Sequence, residues 1–422
     1  RRNEMVAHIR ARHTQILEGI SIEDAHASAR AAIDALHIAL DESLDEIAAD
    51  GELTDRLSDR VVATGEKCMS VLMSATIREL GGASAPVFAD TVIATDERHG
   101  SARPDRALTR ERADSVIRPL LDAGNTVVAT GFIGAGPDGA TTTLGRGGSD
   151  YSATLLGAAL DADEVQIWTD VPGVLSADPR KVARARVVPE ISYDEAQELA
   201  HFGAKVLHPR TIRPAVALNI PVHILSTFAP DEPGTIVTQE SSGNHVKAVT
   251  ALKGLILLTL DVPELEDLAP AASATFRILD EQHIEIVTVS QASSRRRMTF
   301  LVDAVLGGCA RLQTRIEEQL GDHEVTVTCS EDVAAVAAVG AGAAGTPSAL
   351  SAMLTALHRA NVPVLATNQQ TSNVAMLVVI PEEDADRAVA ALHDRLIRPQ
   401  LASNRDRRRR RSDLMAESFR VG

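Results

Sequence analysis

The 422-residue chain is short of aromatic residues, which make up 2% of it, and it has three cysteines. So few aromatic rings leave little to stack single-stranded nucleic acid on. Positive charge is also in deficit. Forty-two Lys and Arg against 58 Asp and Glu give a net −16, which opposes binding to a phosphate backbone. Cys68, Cys309 and Cys329 form no CxxC pair and are odd in number. They are expected as reduced thiols, neither a disulfide framework nor a zinc site. The 13 histidines show no HExxH and no clustered His/Cys spacing, so no protein-built metal site is expected. Nor does any Gly-Lys-Ser/Thr complete a Walker A loop. Long apolar runs are missing. The uncharged stretch from Val333 to Leu357 is largely Ala, Gly, Ser and Thr with Pro347 inside, too weakly apolar to favour insertion. Arg1-Arg2-Asn3-Glu4 leads into no apolar segment of signal-peptide type. A cytoplasmic protein with neither nucleic acid nor membrane as partner is expected.

What the chain does have is 45% hydrophobic and 24% charged residues, a globular balance, and length for two or three domains. Ser21 is placed to cap a helix beginning Ile22-Glu23-Asp24, with Ile33, Leu36, Leu40, Leu44 and Ile47 at helical spacing. From Arg60 short β-branched runs alternate with helical segments. The runs are Val61–Thr64, Thr126–Ala129, Val165–Trp168 and Val222–Leu225; the helices are Cys68–Leu80, Asp150–Leu160 and Ser192–Leu207. Ser192-Tyr193-Asp194-Glu195 has capping-box form. This alternation predicts an α/β domain over 1–238, a mostly parallel sheet sandwiched by helices. A linker is expected over 239–249. Beyond it, an offset of 78 residues places Ser273-Ala274 on Ser351-Ala352, Leu279 on Leu357, and Gln291 on Gln369. Two α+β units follow from this repeat, 250–330 and 331–398, each with a further helix, Ala310–Leu320 and Ala385–Leu396. The segment 399–422 holds Arg407–Arg411 unbroken and reads as a solvated basic tail.

Three polar or glycine positions follow strand runs: Glu66, Gly131 and Asp170. In an open parallel sheet such ends share one edge, where ligands bind. Gly134, Gly136 and Gly139 fit GxGxxG, yet Pro137-Asp138-Gly139 is a turn with no helix after it, unlike a dinucleotide fingerprint. The stretch from Gly145 is more promising. Its glycines bring backbone close to a ligand, a helix beginning near Ser149-Asp150 offers free N–H groups to an anion, and Arg146 supplies a fork suited to a carboxylate or phosphate. A second match, Gly340, Gly342 and Gly345, lies between a strand, Val333–Val339, and a helix opened by Thr346-Pro347.

Four segments, Leu144-Gly145-Arg146-Gly147-Gly148-Ser149-Asp150-Tyr151, Trp168-Thr169-Asp170-Val171-Pro172-Gly173-Val174, Ala177-Asp178-Pro179-Arg180 and Phe202-Gly203-Ala204-Lys205-Val206-Leu207-His208-Pro209, resemble aspartokinases. These are members of the amino-acid kinase family that carry a C-terminal pair of ACT domains (βαββαβ). The resemblance implies formation of 4-phospho-L-aspartate from aspartate and ATP, with Mg2+ held through the ATP phosphates, at the entry to lysine, threonine and methionine synthesis. It also implies a homodimer or higher homo-oligomer. Carried over by position, Glu66 would hold the substrate ammonium and Arg146 its α-carboxylate. Gly147, Gly148, Ser149 and the catalytic Asp150 would complete the aspartate site. Thr169, Asp170, Leu175, Arg180, Lys205 and Val206 would line the nucleotide site, Leu175 standing where the family often has Tyr, and Lys205 would act on the phosphates. An amino-acid effector would meet Gly342, Gly345, Thr346 and Gln369.

Two departures accompany the resemblance. No Lys-Phe-Gly-Gly-Thr-Ser type loop occurs, so the chain is expected to begin after the family's first two strands; Lys67 is read as an exposed helix-start lysine and not as a substitute. The first repeat has Pro263-Glu264-Leu265-Glu266-Asp267 at its turn and Arg295-Arg296-Arg297 nearby as uncompensated positive charge. At most one class of effector site is therefore expected, on the second repeat. A catalytically inactive amino-acid-binding regulator and a kinase for another small carboxylic acid stand as alternatives.

Overall fold

The computed structural model describes residues 2–204, 209–243, 245–292, 296–304, 308–321, 325–341, 346–369 and 374–397. The chain divides into two compact units, Arg1–Val174 with Val187–Ser242, and Leu175–Arg186 with Gly243–Gly422.

The first unit opens with three helices, α1 (Arg2–Leu17), α2 (Glu23–Asp50) and α3 (Asp55–Glu79). They meet around Leu17, Ile20, Ala29, Ile33, Val71 and Leu72. Ser21 does not cap α2 with its own side chain. Its hydroxyl and N–H, with the Ile22 N–H, all donate to the Glu79 carboxylate at the far end of α3. The predicted strand Val61–Thr64 is a stretch of α3 instead. Thr54 caps that helix, its hydroxyl accepting from the Leu57 N–H at 3.2 Å, and the periodicity of Leu57, Ala63, Val71, Leu72 and Ala75 buries one face. A four-residue β-branched run carries too little periodicity to separate helix from strand.

After α3 come β1 (Ser84–Val87), α4 (Arg106–Val116), α5 (Arg118–Asp122), β2 (Thr126–Ala129), β3 (Ile133–Ala135), β4 (Thr141–Thr143) and α6 (Gly148–Ala159). β5 (Val165–Thr169), β6 (Glu190–Ser192), α7 (Tyr193–His201), α8 (Pro209–Ala217), β7 (Val222–Ser226) and β8 (Thr235–Thr238) finish the unit. Parallel pairing joins β1 to β2, β5 to β7 and β6 to β8. The sheet comes in pieces, and β7–β8 is antiparallel. The link from Thr227 to Gly234 is too short for a crossover, so those two strands form a hairpin. The Ser192–Glu195 capping box is present in full at α7, which ends at His201, earlier than predicted.

The second unit holds β9 (Ala248–Asp261), α9 (Leu268–Glu281), β10 (Ile286–Ala292), β11 (Arg297–Asp303), α10 (Gly308–Leu320), β12 (Thr326–Val339), α11 (Pro347–Arg359), β13 (Ala366–Gln369), β14 (Ala375–Pro381) and α12 (Ala385–Leu396). The repeat is visible as strand, helix, strand, strand, helix, twice. All six strands form one antiparallel sheet in the order β10-β11-β9-β12-β14-β13. β9 and β12 have 14 residues each and serve both halves. The Leu255–Asp261 part of β9 lies between β11 and Thr326–Ser330 of β12, whereas Val333–Val339 of β12 lies between Ala248–Leu255 of β9 and β14. The register shifts between Ser330 and Ala335, where Asp332 has φ +57°. Each half therefore becomes four-stranded by borrowing half a strand, and each has its own core.

Three expectations are corrected here. The segment Leu175–Arg186, expected in the first domain, packs with the second unit: Ala177 and Val182 enter its core, the Ser176 carbonyl accepts from the Val249 N–H, and Lys181 pairs with Asp386. Cys309 and Cys329 are joined by a disulfide, α10 having brought the first beside β12. Two of the three arginines beside the first repeat's turn are compensated, Arg297 by a two-point contact to Asp261 and Arg296 by Glu264 at 3.2 Å, while Arg295 lies outside the described residues. The basic tail at 399–422 lies outside the described residues.

Candidate active site

The chemistry-bearing residues of the first unit converge through one buried anchor. Asp59, on α3, accepts from the Thr143 hydroxyl at 2.6 Å, the Thr143 N–H at 3.1 Å, the Gly100 N–H at 3.0 Å and His99 Nδ1 at 2.8 Å. It thereby fixes α3 to the end of β4. Two helical turns farther along the same face stands Glu66, and immediately after β4 comes the glycine-rich loop. Glu66 thus reaches the expected site from a helix interior and not from a strand end.

The loop makes a turn, with the Gly148 N–H donating to the Gly145 carbonyl at 3.0 Å, and Gly147 begins α6 with φ +71°. A Cβ on Gly148 would lie 2.6 Å from Phe132 Cδ2, so a side chain there would force the loop away. Phe132, itself at φ +70°, has its N–H held by the Ser152 hydroxyl, which donates in turn to the Gly148 carbonyl. A cavity of about 530 Å³ results, lined by Glu66, Phe132, Gly145, Arg146, Gly147, Gly148, Ser149 and Asp150.

This cavity is electrostatically unfinished. Burial pushes the carboxyls of Glu66 and Asp150 above their ordinary values, and no hydrogen bond reaches either among the described residues. Arg146 is exposed and has no carboxylate partner there. Free N–H groups at the start of α6 add a partial positive end. The lining thus offers carboxyls to a cation and a guanidinium with helix-start N–H groups to an anion.

Other predicted residues lie elsewhere. Gly131 is beside the cavity, since a Cβ there would sit 3.0 Å from the Ser149 side chain. Thr169 and Asp170 stand at the end of β5, where the Thr169 carbonyl accepts from Thr227, but they do not line the cavity. Leu175 and Arg180 belong to the segment packed with the second unit, and Arg180 makes a two-point contact to Asp178. Lys205 and Val206 lie outside the described residues, as do Gly342 and Gly345. Thr346 precedes α11, which has Pro347 at its first turn, and Gln369 ends β13. Lys67 is not an exposed helix-start residue. It is half-buried within α3, 2.5 Å from Asp90, with the Phe88 ring 5.5 Å away. Asp59 was missed by sequence reasoning, because its partners come from positions 99, 100 and 143.

The model of the amino acid kinase family matches residues 9–226, and an ACT domain model matches 336–396. Over 358 residues the chain is 35% identical to a chloroplastic bifunctional aspartokinase/homoserine dehydrogenase of Daucus carota, covering 82% of this chain and 39% of that protein. It is 34% identical over 343 residues to lysine-sensitive aspartokinase 3 of Escherichia coli, covering 81% of this chain and 75% of that one. The solved structure of E. coli aspartokinase III in complex with aspartate and ADP matches with a TM-score of 0.75 at 31% identity, covering 94% of this chain and 87% of that one. The chain spans about two fifths of the length of the bifunctional plant relatives it matches.

Proposed function

Since this chain belongs to the amino acid kinase family, in its aspartokinase branch, we propose that it transfers the γ-phosphoryl group of ATP to the β-carboxylate of L-aspartate, giving 4-phospho-L-aspartate. The observation that carries this reading is the joint placement of unpaired Arg146, the α6 N-terminus, Glu66 and Asp150 around one cavity. Arg146 receives the α-carboxylate, while Glu66, with Gly147, Gly148 and Ser149 shaping the loop, receives the ammonium end. Asp150 orients the same group. A bound ammonium draws both carboxyls back down towards their ordinary values by supplying the opposite charge that burial denies them. The β-carboxylate is already nucleophilic, so no strong base is required; catalysis is positioning plus neutralisation of phosphoryl charge.

Thr169, Asp170, Leu175, Arg180 and Val206 serve ATP, and Lys205 neutralises its phosphates. Mg2+ arrives on the ATP phosphates, as it commonly does where substrate phosphates supply most of its ligands. The reaction is tested by incubating the chain with ATP, aspartate and hydroxylamine, which traps the acyl phosphate as a hydroxamate. Hydroxamate dependent on both substrates is expected. Binding of both without hydroxamate would overturn the kinase reading in favour of a regulatory homologue. Lys205→Ala is expected to lower kcat and leave the aspartate KM intact.

The second repeat is proposed as the regulatory half. Gly340 cannot carry a side chain, because a Cβ would lie 2.1 Å from the His245 carbonyl oxygen. The segment after it, with Gly342, Gly345 and Thr346, together with Gln369, receives an amino-acid effector of lysine, threonine and methionine synthesis. Glu264, Glu266 and Asp267 at the first repeat's turn repel the same carboxylate. A cytoplasmic homo-oligomer with one effector class is the expected form. Calorimetry with the three amino acids should find one saturable site per chain; two sites, or binding that survives Gly345→Val, would sink this reading. No helix among the described residues is long and apolar enough to cross a membrane.

A further inference from the structure

The helical corner of the first unit holds a second cluster, unrelated to the cavity. His13 on α1, His37 on α2 and Cys68 on α3 converge with all their donor atoms within 4.8 Å of one another. His13 Nδ1 and His37 Nε2 are 2.9 Å apart, and Cys68 is completely buried. These residues are 24 and 31 positions apart, so no local spacing announces them (37 − 13 and 68 − 37).

We propose that His13, His37 and Cys68 form a His2Cys site for a monovalent copper ion. Geometry permits a metal here and two features select that ion. Donors bonded to one metal at roughly 2.0–2.3 Å lie about 3–4 Å apart, and the three donor atoms are already within 4.8 Å of one another. First, the described residues supply no fourth His, Cys, Asp or Glu donor, and a thiolate with two imidazoles suits a soft ion content with three ligands. Second comes charge. Cu+ with one thiolate is neutral, whereas Zn2+ would leave a net positive charge among Leu17, Ile20, Ala29, Ile33, Val71, Leu72 and Ala75. Burial keeps both imidazoles below their ordinary pKa, hence neutral and able to coordinate, and pushes the Cys68 thiol up to about 11. Binding therefore releases the thiol proton to solvent. The imidazole proton shared between the facing nitrogens moves to the opposite nitrogen of its ring. An ion here would join α1, α2 and α3 at one point.

The test uses the full chain with Cys309→Ser and Cys329→Ser, so that Cys68 is the one remaining thiol. Cu+ is delivered anaerobically and the protein is challenged with a copper(I) chelator. The expected result is one equivalent retained per chain, an X-ray absorption spectrum with one sulfur and two imidazole nitrogens, and a raised thermal midpoint. Cys68→Ala should abolish retention with the helical circular dichroism unchanged. Because a core substitution can itself unfold the helices, the absorption spectrum of the parent chain decides independently. No stoichiometric retention by the folded parent, a spectrum without sulfur, or retention of Zn2+ in preference to Cu+ would overturn the proposal.

Discussion

Two buried carboxylate regions of the first unit are built on opposite terms. Asp59 is 3% exposed and accepts from a hydroxyl, two backbone N–H groups and an imidazole. Glu66 and Asp150 are partly buried, and nothing among the described residues donates to them. The same element, α3, carries Asp59 and Glu66. Saturated polar groups hold a structure together, and starved ones mark the place where a ligand completes it.

The sharpest way to break this contrast is to remove the saturated member. Asp59→Ala should strand the Thr143 and Gly100 donors and lower stability by about 3–5 kcal/mol in a denaturant titration. An unchanged midpoint would show that the anchor is ornamental. Arg146→Ala should do the reverse, costing about 2–5 kcal/mol in kcat/KM for aspartate, with the melting temperature unmoved and ATP still bound. Unaltered aspartate KM would remove Arg146 from the site.

A subtler effect separates the two carboxylate kinds by pH. A folded-state pKa raised above the ordinary 4.5 of Glu66 or 3.8 of Asp150 means the folded chain keeps its proton longer than the unfolded chain does. Stability contributed by these groups is then present below those ordinary values and lost as pH rises through the raised ones. Glu66→Gln and Asp150→Asn should each raise the thermal midpoint at pH 8 in the absence of substrate, with the gain fading towards pH 4. A gain that is independent of pH would mean repacking, not ionisation, is responsible. Smallest of all, Arg297→Ala breaks a partly exposed ion pair to Asp261 and should cost under about 1 kcal/mol by thermal melting. A larger loss would place that pair with the saturated group.

Legibility in the sequence followed the range of the interactions. β2, β5 and β7, the α7 capping box, and the helices of the repeat were readable because a few adjacent residues specify them. Val61–Thr64 misled because its partners lie a turn away on either side of a helix. The cavity loop was readable through Gly145–Asp150, where glycines and an arginine sit next to one another. Asp59 and the Cys309–Cys329 bond were not, since each is made by residues that only the finished fold brings together. The compensation of Arg296 and Arg297 is of the same kind, made across a turn and between neighbouring strands.

The borrowed half-strands of the second unit limit how it can be divided. A recombination point between the two sequence repeats, near 330/331, would fall inside β12 and leave each fragment with an open edge where the other's backbone belongs. Neither copy can be exchanged, deleted or duplicated alone without breaking hydrogen bonds in its sister. The two repeats therefore behave as one indivisible module, in which each half depends on backbone that belongs to the other.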